Sequence, residues 1–126
     1  MIVKSFELKK KNLQKFKYFL LYGNNKGFIK DSLQLIINQI KKGRIYNYEE
    51  SEIIKNSDQF YETISIKSFF DNERIIIINR TTDKIRQIIE DLIKKDHNDI
   101  SLILISNSLE KKSKIRNFFE KNENTI

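Results

Sequence analysis

The 126-residue chain carries 24 Lys and Arg against 17 Asp and Glu, for a formal net charge of +7, and it has no cysteine. Such a length fits one domain with a sizeable core, and the lack of cysteine excludes disulfides, thiolate zinc sites and a cysteine nucleophile while suiting a reducing cytoplasm. No apolar run approaches the ~18 residues a membrane-spanning helix requires, and Met1-Ile2-Val3-Lys4 turns polar too soon for a secretory signal, so the expected partners include no membrane.

Tyr18-Phe19-Leu20-Leu21-Tyr22 reads as a buried strand that enters a loop at Gly23-Asn24-Asn25-Lys26-Gly27. From Phe28 a helix is predicted. Its apolar face is Ile29, Leu33, Ile36, Ile37 and Ile40, and Lys41-Lys42-Gly43 suits its C-terminus. Residues 45–48 form a shorter, more polar strand, nearer an edge. Between 49 and 70 the pattern is helical and broken, with Ile53 and Ile54 in one piece and Phe60, Tyr61 and Ile64 in another. Arg74-Ile75-Ile76-Ile77-Ile78-Asn79, with four consecutive β-branched residues, suits a strand covered on both faces. Thr82 can cap a helix striped by Ile85, Ile88, Ile89, Leu92 and Ile93. A fourth strand is predicted over 101–106, and a last helix over 111–121 with Ile115, Phe118 and Phe119 facing inward. Strands alternating with helices imply right-handed crossovers and a three-layer α/β fold, its mostly parallel sheet covered by helices on both faces. Function in such folds gathers at the carboxyl ends of the strands.

The loop after the first strand is where a phosphate would sit, cradled by backbone amides at a helix N-terminus. A working loop reads Gly, four residues, then Gly-Lys-Ser/Thr, the lysine reaching the terminal phosphates and the hydroxyl holding magnesium. Counted from Gly23, those three places hold Phe28, Ile29 and Lys30. Gly27, Lys30 and Ser32 read as displaced remnants, a degenerate phosphate loop, and Asp31 adds an anion where phosphate would lie. The strand at 75–78 runs into Asn79-Arg80 rather than the acidic pair that would hold magnesium and activate water. Asn107 sits where such enzymes keep a polar sensor of the terminal phosphate, and loop chemistry accounts for it equally. His97, the single histidine, falls in the polar stretch Asp96-His97-Asn98-Asp99 and reads as a loop residue rather than a metal ligand. Glu49-Glu50-Ser51-Glu52 reads as favourable charge at a helix N-terminus. No catalytic constellation, cofactor site or metal site emerges.

Phe69-Phe70 is of another kind. Adjacent residues on a helix diverge by about 100°, so both rings cannot enter one core from a helix interior. Flanked by Lys67-Ser68 and Asp71-Asn72-Glu73, they make an apolar tip in a polar collar, which suits either a protein-binding hot spot or ordinary packing. The basic balance has two readings as well. Lys9, Lys10, Lys11, Lys15 and Lys17 can attract nucleic acid, while a chain without alanine or proline and crowded with Ile, Lys and Asn reads as the product of an AT-rich genome.

Three segments in order carry a resemblance: Phe19-Leu20-Leu21-Tyr22-Gly23 with its lapsed phosphate loop; Lys67-Ser68-Phe69-Phe70-Asp71-Asn72-Glu73-Arg74 leading into the isoleucine strand; and Leu102-Ile103-Leu104-Ile105-Ser106-Asn107 followed by Leu109-Glu110-Lys111-Lys112-Ser113-Lys114-Ile115-Arg116. Together the chain resembles the N-terminal domain of the delta subunit of bacterial DNA polymerase III. The resemblance implies a degenerate AAA+ fold without ATP hydrolysis, in a noncatalytic subunit of a DNA-directed DNA polymerase (nucleotidyltransferase) holoenzyme. It implies a sliding clamp as partner, bound by a hydrophobic pair that maps onto Phe69 and Phe70, with Lys67 and Ser68 leading in. Other clamp-loader subunits, and DNA through the complex, are the further partners implied. In the family a helical lid and a collar domain follow, and neither is present here; the expectation is a C-terminally truncated fragment, residues 1–126, that stops before a fifth strand. Two rivals stand beside this reading: a P-loop ATPase or kinase with a shifted loop, and a basic nucleic-acid-binding domain.

Overall fold

Four short apolar runs become four strands: β1 (Tyr18–Leu21), β2 (Arg44–Glu49), β3 (Arg74–Asn79) and β4 (Ile100–Ile105). They form one sheet in the order β1-β4-β3-β2, with every pair parallel. The computed structural model describes residues 17–23, 26–40, 44–70, 74–94, 100–107 and 112–121, and the side chains of 65–70, 120 and 121 lie outside that description. Among the described residues five helices surround the sheet: α1 (Lys26–Ile40), α2 (Glu50–Lys55), α3 (Ser57–Phe70), α4 (Arg86–Lys94), which continues a 3-10 turn at Asp83–Ile85, and α5 (Lys114–Lys121).

The strand order dictates which helix lies where. The step from β1 to β2 crosses the whole sheet in one direction, while those from β2 to β3 and β3 to β4 come back; right-handed crossovers therefore put α1 on one face and α2, α3 and α4 on the other. The two cores follow. Phe19, Ile75, Ile77 and Ile103 pack against Ile36 and Ile40 of α1. On the opposite face Leu20, Ile76, Ile78, Leu102 and Leu104 meet Ile53, Phe60, Ile64, Ile85, Ile89, Leu92, Ile115 and Phe119. Successive residues of β3 thus enter different cores, which is why its four isoleucines need no polar alternation. Full burial of each such side chain contributes about 1.5–3 kcal/mol.

β2 is an edge strand, as its polarity predicts. Several boundaries differ from expectation. α1 begins at Lys26 rather than Phe28, and of its stripe only Ile36 and Ile40 are buried, with Ile29, Leu33 and Ile37 half-covered. Ile53 is buried but Ile54 is exposed, the divergence that adjacent helix positions impose. β4 is shifted one residue back from 101–106. α5 starts at Lys114 rather than 111, because Ser113 acts as its cap, its hydroxyl accepting from the Arg116 amide at 3.4 Å.

Candidate functional site

Two places invite function: the carboxyl edge of the sheet and the C-terminal end of α3. At the first, Gly23 adopts φ 142°, a conformation that side chains avoid; an added Cβ would meet nothing within 4 Å, so backbone conformation alone requires glycine here. The structure places Gly27, Lys30 and Ser32, read as displaced loop remnants, in the helix that follows the turn. All three lie within α1, Gly27 and Lys30 exposed and Ser32 half-buried, and residues 22–25 alone join β1 to the helix.

The end of β3 is bound into the protein itself. The Asn79 side-chain amide donates to the Tyr48 carbonyl of β2 at 3.3 Å. Arg80 takes φ 55°, in the left-handed region, and its exposed side chain pairs with Glu49 at 3.5 Å. That turn brings Thr81 back against β4: its amide and hydroxyl donate to the Ile105 carbonyl at 2.9 and 3.1 Å, and the buried Ser106 hydroxyl donates to the Thr81 carbonyl at 2.8 Å. The Ser106 amide donates in turn to the Leu21 carbonyl at 2.8 Å, drawing in β1.

Both nearby carboxylates on the covered side have structural work. Glu50 is 7% exposed, and its carboxylate accepts the Thr82 amide at 2.8 Å and the Thr82 hydroxyl at 2.9–3.0 Å. Thr82 in turn accepts the Lys84 amide and caps the 3-10 turn, the role its sequence position predicts. Asp83 accepts the Ile115 amide at 3.0 Å and the Ser113 hydroxyl at 2.7 Å, placing an anion at the N-terminus of α5. The Ile115 amide first, then the Ser113 hydroxyl, hold the Asp83 carboxyl below its ordinary range against a weaker push from burial. Among the described residues no group of three or more His, Cys, Asp or Glu side chains is placed to hold a metal ion. The reading of Glu49-Glu50-Ser51-Glu52 as helix N-terminal charge holds for Glu50 and Glu52, in the first turn of α2, but missed the Glu50–Thr82 link. Asn107 is exposed beyond β4; His97 and Lys9, Lys10, Lys11 and Lys15 lie outside the described residues, and Lys17 is half-buried.

At the second place, α3 is held to the rest of the domain on one side. Phe60 and Ile64 are buried, Phe60 packs edge-on against the Tyr48 ring at 5.3 Å, and the Tyr61 hydroxyl donates to Asp91 of α4 at 3.2 Å. Burial, then the Asp91 charge, raises the Tyr61 phenol above its ordinary range. Arg74 is 2% exposed, and its Nη2 donates to the Ile64 carbonyl at 2.8 Å, a contact for which the sequence held no sign. Lys67, Ser68, Phe69 and Phe70 are the last four residues of α3, and their side chains lie outside the description. At 3.6 residues per turn, helix positions 69 and 70 fall roughly 160° and 100° round the axis from the stripe set by Phe60 and Ile64.

A profile of the family described as DNA polymerase III, delta subunit matches residues 19–126, from β1 through α5. No curated protein matches the chain. Since the matched span takes in every strand and helix described above, the chain belongs to the DNA polymerase III delta subunit family.

Proposed function

We propose that this domain is a noncatalytic clamp-binding module of the clamp loader, in which Phe69 and Phe70, approached through Lys67 and Ser68, dock in an apolar pocket on the sliding clamp. The delta subunit family is a clamp-loader component. The observation that carries the reading is the end of α3: two adjacent phenylalanines occupy the last two positions of a helix whose buried stripe is Phe60 and Ile64, and both positions fall off that stripe. Aromatic side chains set off the buried stripe of a helix are the kind of anchor on which binding energy concentrates. The sheet supplies the rigid base for the wedge, which favours the opened form of the ring by binding it more tightly than the closed one.

The noncatalytic part of the proposal is supported by the carboxyl edge, where the Gly-Lys-Ser/Thr places hold Phe28, Ile29 and Lys30 and where Asn79, Arg80, Thr81 and Ser106 bond to neighbouring strands. No cofactor is invoked. Other clamp-loader subunits are partners in the assembled loader, and DNA is reached through that assembly in the cytoplasm. No helix among the described residues is long and apolar enough to cross a membrane. Gel filtration with the purified sliding clamp of the same organism is the test. Co-elution that is lost in the double variant Phe69→Ala, Phe70→Ala supports the proposal; unaltered co-elution of that variant removes the residues from the interface. Micromolar affinity for ATP and magnesium by calorimetry would overturn the noncatalytic reading.

A further inference from the structure

A guanidinium at the start of a central strand needs a reason. Arg74 opens β3, in register with Arg44 and Ile100, and shares the face of Ile76 and Ile78 beneath α3. It is 2% exposed, among the largest fully buried side chains of the domain. Burying a cation is unfavourable, and an apolar side chain would fill the same space without that cost. Among what the guanidinium supplies is a directed bond, Nη2 to the Ile64 carbonyl at 2.8 Å. A carbonyl oxygen has two lone pairs, so it can accept Arg74 and still serve the helical ladder. The contact lies six residues before the end of α3.

The chain path makes that contact consequential. α3 ends at Phe70 and β3 begins at Arg74, so the Phe69–Phe70 tip is strung between two points, the Ile64 carbonyl and the first residue of β3. One side chain fixes both to each other. Resting on the clamp-binding reading above, we propose that Arg74 is a positioning residue: it locks the end of α3 at one angle to the sheet, so that the phenylalanine pair meets the clamp already oriented. Orientation set in the free protein removes an ordering cost from binding.

The test compares Arg74→Met, which keeps length and burial, and Arg74→Lys, which keeps charge but loses the planar fork, with the unaltered chain. Two readouts are taken: affinity for the purified clamp, and hydrogen exchange of the amides at 65–70 against those of β4 and α4. The expected result for Arg74→Met is exchange at 65–70 at least tenfold faster, little change in β4 and α4, and clamp affinity weakened about tenfold. Arg74→Lys falls between. Exchange that is already unprotected at 65–70 in the unaltered chain, or that is unchanged by Arg74→Met, overturns the proposal. So does acceleration as large in β4 and α4 as at 65–70, the mark of a merely structural residue. If the unaltered chain does not bind the clamp, the functional reading falls, while the exchange pattern still decides whether Arg74 holds the helix end.

Discussion

Phe60→Ala separates folding from recognition on a single helix. Phe60 is 5% exposed in the core beneath α3, with its ring edge-on to Tyr48 at 5.3 Å. Truncating a buried phenylalanine to alanine costs ~3–5 kcal/mol, because the transfer energy of the ring is lost and the surroundings only partly close over the cavity. The aromatic contact with Tyr48 accounts for about 0.5–1.5 kcal/mol within that figure. Against a total stability of ~5–15 kcal/mol for a domain of this kind, the loss is a large share. Thermal melting followed by circular dichroism should fall by roughly 10–20 °C. The tip residues should behave the other way: Phe69→Ala and Phe70→Ala should leave Tm within about 2 °C and weaken clamp binding by about 2 kcal/mol or more each. Should Phe60→Ala melt with the unaltered chain while the tip variants unfold, α3 is turned about its axis relative to the description above and the proposed anchors are core residues.

Asp83 gives the domain an acid-sensitive brace. Its folded carboxyl is held below the unfolded value, so its stabilisation is complete above the ordinary carboxylate range and is lost as pH falls through the folded value. The expected outcome is that Asp83→Asn melts lower than the unaltered chain at pH 7 and that the gap narrows from about pH 5 downward; a gap independent of pH would show that the charge has no part. Glu50→Ala should cost about 1.5–3 kcal/mol in denaturant melts, since it removes the charged acceptor of the Thr82 amide and hydroxyl. Ser106→Ala should cost about 1–2 kcal/mol by leaving the Thr81 carbonyl without that donor, and combined with Thr81→Val it should depart from additivity by more than about 0.5 kcal/mol; strictly additive effects would mean that the two hydroxyls stabilise independently.

The strands were legible because each is a run of consecutive apolar residues too short for a helix, and the parallel order followed from alternation with helices. Thr82 was legible as a cap because capping is a local rule, acting within three residues. The polar links were not, since they join positions far apart: Glu50 reaches Thr82, and Asp83 reaches Ser113 and Ile115, across about 30 residues of chain. Nothing local in Arg74 distinguishes a strand's charged start from a buried cation aimed at a helix carbonyl. The phosphate-loop comparison located the correct turn but not its length, because Lys26 and Gly27 look like loop residues and are drawn into α1 by the apolar positions that follow. Phe69 and Phe70 stood out as a pattern, adjacent rings in a polar collar, and the structure adds that the pair ends its helix.

The strand order also sets a timetable. β2 pairs with β3, and β3 with β4, across only about 25–30 residues of chain, so those ladders can form soon after each strand appears. β1 comes first in sequence, yet its sole ladder among the described residues is with β4, Tyr18 opposite Leu102, more than eighty residues later. During synthesis at ~5–20 residues per second, Phe19, which ends up wholly buried, must wait for roughly 4–17 s before its strand partner exists. Through that interval an apolar, hydrogen-bond-hungry segment is without its partner, so the step most open to chaperone capture or misassociation is the docking of β1 onto β4.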